Sequence, residues 1–360
     1  MKLVIAALFA ILAAGCASSG RDVLRMNLSP AAETRRVLFP PETDGEVPRY
    51  VYLGELVGEQ NFVAPEEKEQ NVFIGVLKVL AGWLENQDPV VLQRPQSGVV
   101  DEDGRILVTD VSRGAVFVFD EKSGQMDVWE YAEGFRHFMA PSGIALGPEG
   151  RVFVADAELQ RVVMLDRSGK GIGVIGRDQL QRPTGVAWDA ASSLLYVADT
   201  QAHQIKVFDM TGRLVRSIGR RGEGLGEFNY PTHIALGRNG LVVADTMNAR
   251  IQIIPLDDNG NPAAFGHRGT RLGDFVRPKG VAVDSEDNIY VVESYHDHLL
   301  VFDARGRFLL PIGGTGKEIG SFYLPGGVWV DARNRVFVAD TFNGRIVVFQ
   351  FLGGGSESGH

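Results

Sequence analysis

Short apolar runs, rich in Val, Ile, Phe and Tyr and broken by Gly, Asp and Pro, fill the chain from Arg94 to Phe349. They recur as one unit: a proline, a small residue two positions on, an apolar run, a turn, and a second apolar run closed by an acid. The prolines are Pro95, Pro141, Pro183, Pro231, Pro278 and Pro325, at intervals of 46, 42, 48, 47 and 47 residues. The closing acids are Asp110, Asp156, Asp199, Asp245, Glu293 and Asp340. Runs this short and β-branched are strands, and a period in the mid-forties built from them means blades of about four strands set around an axis. The pattern predicts an all-β fold, a six-bladed β-propeller of four-stranded antiparallel blades over 93–352.

Closure of the ring is also legible. Blades one to five each carry a fourth apolar run, such as Arg213–Ile218 and Arg307–Ile312, reached through a turn that opens near an aspartate and closes at a glycine. Blade six has none, because 353–360 is a Gly/Ser tail expected to be disordered. An open blade would leave an unpaired strand edge. Arg49-Tyr50-Val51-Tyr52-Leu53-Gly54 has the length and shape of the missing strand, so 49–53 is expected to pair beside 345–351. Between this strand and blade one, Pro65-Glu66-Glu67-Lys68 precedes Val72, Phe73, Val76, Leu77, Leu80, Trp83 and Leu84 at helical spacing. Residues 49–92 are therefore expected to hold a closing strand and one inserted helix.

The copies resemble the NHL repeat. Blade six reads Asp340-Thr341-Phe342-Asn343-Gly344-Arg345-Ile346, and blade four reads Asp245-Thr246-Met247-Asn248-Ala249-Arg250-Ile251. The resemblance spans roughly 94–351 and implies the six-bladed fold. It leaves the activity open, since propellers lend one frame to unrelated tasks.

The start of the chain bears on location. Lys2 and the apolar stretch from Leu3 to Ala14 read as a signal peptide over 1–15, too short to remain as a spanning helix. Ala14-Gly15-Cys16 resembles a bacterial lipobox, and Cys16 is the only cysteine. Lipidation at Cys16 would anchor the protein in a membrane of the cell envelope, and the absence of Asp after it points to the outer membrane. Residues 16–48 then read as anchor and flexible tether, with a coil span on the order of 30 Å. A lone cysteine also excludes intrachain disulfides and covalently attached c-type haem.

Charge narrows the partners. The whole chain carries −9, and an acidic exported protein lacks the basic surface that nonspecific nucleic-acid binding needs. The expected partner is an envelope protein or polymer, with electron-transfer components suggested by resemblance to NHL lipoproteins.

Two sets of residues are candidates for a site. Linkers and second turns share one face of a propeller, here called upper, and place Arg220, Arg221, Arg268 and Arg271 on it as a binding face. The histidines His203, His233, His296 and His298 fall on or near that face, with His233 replacing the small residue of the other blades at the channel. Imidazoles bind zinc readily. An NHL-like lyase that holds its metal with histidine makes a metal-dependent lyase or hydrolase the alternative function, with zinc or calcium as its ion. No cofactor is demanded by the pattern. No nucleophile elbow or other catalytic set is present, so a noncatalytic binding propeller is the expected function.

Overall fold

The computed structural model describes residues 25–28, 37–42, 47–63, 89–257 and 260–353. The expected signal peptide, Cys16, the inserted helix and the tail beyond 353 lie outside them.

Six antiparallel sheets stand around one axis. Blade one is Pro95–Val100, Ile106–Asp110, Ala115–Asp120 and Gln125–Trp129. Blades two to five repeat this order, beginning at Pro141, Pro183, Pro231 and Pro278. In blades one to five the innermost strand starts at the repeat's proline, where the missing N–H is no loss at the first position of a strand. Each second strand ends at the repeat's acid.

Each blade is sandwiched between two others, so its middle strands are apolar on both faces. Val152–Asp156 and Leu195–Asp199 are buried at every position. The core is divided among the blade interfaces. Between blades two and three, for example, Phe153, Ile175, Leu195 and Phe208 pack together, each no more than 1% exposed. Burying a side chain of that size contributes about 2–3 kcal/mol. The inner strands approach too closely for side chains at the small-residue position: a Cβ on Gly327 would stand 2.0 Å from the carbonyl oxygen of Gln96, and one on Gly143 2.2 Å from that of Thr184.

Blade six closes as the sequence predicts. Its strands are Gly327–Val330, Arg335–Asp340 and Arg345–Phe351, and Tyr50–Leu56 completes it. The register sets Phe351 against Tyr50, Val348 against Gly54 and Ile346 against Leu56. Side chains fasten the strand at both ends. Glu55 meets Arg345 at 2.7 Å, while the Tyr50 and Tyr290 hydroxyls lie 3.1 Å apart and Tyr290 donates to Asp284 at 2.8 Å. The Thr341 hydroxyl then donates to the carbonyl of Pro95 across the seam between blades six and one.

The expectation of an unstructured tether over 16–48 gives way at two points. Leu38–Phe39 pairs outside Tyr50–Val51, making blade six five-stranded. Arg25–Met26 pairs with Phe62–Val63. The physical reason is edge protection and a polar clamp. Phe39 packs edge-on against Phe349, and the buried Asn61 side chain donates to the carbonyls of Asn27 and Glu55 while accepting from the N–H groups of Val57 and Gly58.

Candidate functional site

The repeat's acids build the upper face. Asp110 accepts from the N–H groups of Gln93 and Arg94 with one oxygen and of Ser112 and Arg113 with the other. Asp156 accepts from the N–H of Met139 with one oxygen and from those of Ala140, Glu158 and Leu159 with the other. Each such carboxylate ties an incoming linker to the turn after strand two. In blades four and six, side chains replace some turn N–H groups. Asp245 takes Asn248 and Arg250, and Asp340 takes Asn343 and Arg345. Burial pushes the Asp340 carboxyl up, against the pull of the Tyr323 N–H, Asn343 and Arg345. The acids and the Asn-x-Arg arginines are thus consumed in holding the frame.

The glycine linkers are equally structural. Phe228, Phe275 and Phe322 are fully buried under them, and Arg250 donates to the carbonyls of Glu223, Gly224 and Glu227. Of the four arginines expected to form a binding face, Arg220 is paired with Glu227 at 2.8 Å. Arg221, Arg268 and Arg271 are exposed, and Arg268 reaches the carbonyl of Met247.

The four histidines divide among three places. His203 caps the second turn of blade three, accepts from the Tyr230 N–H at 3.2 Å and stacks edge-on with that ring. Burial, then Arg221, pulls its pKa down. His296 and His298 flank a small pocket with Glu293, Asp274 and Arg271. His298 is held below the usual imidazole range, mainly by burial. His233 lies apart from them on the channel wall. Among the described residues no group of three or more His, Cys, Asp or Glu side chains is placed to hold a metal ion.

What the sequence reading passed over is the apolar content of the upper face. Tyr230, Met247, Leu272, Tyr295, Tyr323 and Phe342 are each between 42% and 64% exposed. They follow one another around the linkers and second turns of blades four to six. Arg94 sits over the Phe342 ring at 5.0 Å, and Tyr323 meets the same ring edge-on at 5.9 Å. The signal was available: Met247, Tyr295 and Phe342 occupy the second position after the closing acid, a turn site where blades one to three carry Ser112, Glu158 and Gln201.

A family model described as a 6-bladed beta-propeller matches residues 186–257 and 278–357. The chain is 33% identical over 156 residues to NHL repeat-containing protein 2 of Bos taurus, covering 33% of this chain and 21% of that protein. It is 28% identical over 174 residues to Protein brain tumor of Drosophila melanogaster, covering 45% and 15%. The chain thus spans less than a quarter of either relative's length. Virginiamycin B lyase from Staphylococcus aureus superposes with a TM-score of 0.52 at 14% identity, over 74% of this chain and 97% of that one; the likeness is one of fold. The blade order above makes the chain a six-bladed β-propeller, and these matches support the likeness of its blades to NHL repeats.

Proposed function

We propose that the protein is a membrane-anchored, noncatalytic propeller that binds a protein or polymer of the cell envelope through its upper face. The observation that carries this reading is the exposed arc from Tyr230 to Phe342 with Arg94, Arg268, Arg271 and Arg277 beside it. Interface cores are enriched in Tyr, Phe, Met and Arg, and an exposed apolar surface bordered by charge marks an interaction site. The frame suits recognition. The acids fix each turn through backbone N–H groups, so the arc is pre-organised and little ordering cost remains for binding. Lipidation at Cys16 places this face in the envelope, with the outer membrane as the preferred location.

The test compares three forms of the tagged full-length protein, recovered in detergent from membranes of the native host. Wild type and the lower-face variant Arg305→Ala should retain one stoichiometric partner that Tyr295→Ala/Phe342→Ala loses. Equal recovery by all three, or no stoichiometric partner with any, would overturn the reading.

A further inference from the structure

The exposed arc of blades four to six is bordered by cations that the frame leaves unpaired. The linkers into these blades expose Arg221, Arg268, Arg271, Arg277 and Lys317. None of these heads meets a carboxylate among the described residues. Acids of the same linkers are already engaged: Glu227 pairs with Arg220 at 2.8 Å, and Asp274 takes His267 at 3.0 Å and the N–H of Arg271. Only Glu223 and Glu318 stay exposed and unpaired on these linkers. From the second turn of blade two to the linker into blade three, by contrast, the arginines have carboxylates. Glu133 takes Arg161 at 3.4 Å and Arg177 at 2.7 Å, and Glu158 takes Arg182 at 2.9 Å. Unpaired cations thus gather beside the exposed apolar side chains, on a chain whose total charge is −9. Like charges held close together repel, and an anionic partner is steered in by them and relieves that repulsion.

The two kinds of side chain are interleaved. Arg268 reaches the Met247 carbonyl, Arg271 is followed by Leu272, and Arg94 lies over the Phe342 ring at 5.0 Å. An occupant that satisfies both kinds must set a carboxylate next to an apolar group, and do so repeatedly. Arginine suits the first task, since its planar fork can hold a carboxylate through two N–H donors. A nucleic acid fits less well. Met247 and Leu272 offer no ring for a base to stack on, and Glu223 and Glu318 would face a continuous line of phosphates.

Taking the upper face as the binding surface, as proposed above, we infer that its occupant is an acidic polypeptide segment whose carboxylates alternate with large apolar side chains. The carboxylates pair with Arg268, Arg271 and Arg277, while the apolar side chains pack on Met247, Leu272 and Tyr295.

Isothermal titration of the whole protein with synthetic peptides tests this. The probe alternates Glu with Leu, Tyr and Phe; one control replaces each Glu by Lys, and a second replaces each apolar residue by Ser. At low ionic strength the probe should bind with Kd about 1 mM or tighter, and each control at least about tenfold more weakly. Arg268→Glu/Arg271→Glu should weaken the probe at least about tenfold, and Arg305→Glu on the lower face should leave it unchanged. A probe that fails to saturate the protein, or binds no more tightly than either control, overturns the proposal. So does undiminished binding to Arg268→Glu/Arg271→Glu, equal weakening by Arg305→Glu, or oligothymidylate binding as tightly as the probe. If the double variant does not fold, Arg221→Glu takes its place, because the Arg221 side chain makes no hydrogen bond or ion pair among the described residues. If the probe fails while Tyr295→Ala/Phe342→Ala still loses the native partner, the upper face stands as a binding surface and only its acidic occupant falls.

Discussion

Acidification should destabilise the protein through His233 in a window that opens above the ordinary carboxylate range. Burial, and secondarily the charge of Lys279, lowers its pKa from the ordinary 6.5 to about 4. The folded state therefore keeps the ring neutral where the unfolded chain has already bound a proton. Stability is complete above the unfolded value and is lost as pH falls from about 6.5 toward about 4. At 1.36 kcal/mol per pKa unit the full penalty is about 3 kcal/mol, and most of it, about 2.5 kcal/mol, is reached by about pH 4.5. Against a typical domain stability of about 5–15 kcal/mol that is a measurable share. His203 and His298 are also lowered, each mainly by burial, and add in the same direction. The quantity to read is therefore the difference between wild type and His233→Gly, from urea unfolding at about pH 7.5 and about pH 4.5 in a piperazine buffer free of carboxylate. Wild type should lose about 2–3 kcal/mol more than the variant over that interval. Equal losses would refute the assignment of a buried neutral imidazole on the channel wall.

Three further outcomes follow from the frame. A chain beginning at Gln93 lacks Tyr50–Leu56 and leaves Arg345–Phe351 as an open edge; it should aggregate or unfold without cooperativity by calorimetry, and a soluble, cooperative product would refute the closure. Gly327→Ala places a methyl 2.0 Å from the Gln96 carbonyl oxygen and should cost about 1–3 kcal/mol in urea unfolding, whereas a neutral result would refute the close approach of inner strands. Cys16→Ser should fold normally yet accumulate as precursor or leave the membrane fraction on immunoblots, and an anchored, processed variant would remove the lipoprotein reading.

The blades were legible because proline, small residue and acid each meet a constraint that recurs at every blade: a strand start, a close approach, a clamp on the linker. The closing strand was legible for the same reason, since a blade with three strands lacks an edge partner. Leu38–Phe39 and Arg25–Met26 were not, because two-residue strands carry no periodicity and Pro40-Pro41 reads as linker. The site was legible only in part. Charge drew the reading to Arg220, which Glu227 neutralises, and chemistry drew it to histidines that lie in three places. Tyr295 and Phe342 went unnoticed because a single large residue in a turn looks unremarkable until the turns of successive blades are brought together on one face.

The central claim, that the upper face of blades four to six is the binding surface, is tested most directly by photo-crosslinking in the native host. A crosslinking amino acid replaces Tyr295 or Phe342 on the upper face, or Arg305 on the lower. The account predicts one discrete adduct from positions 295 and 342 and none from 305. Adducts from 305 alone, or none from any position, would contradict it.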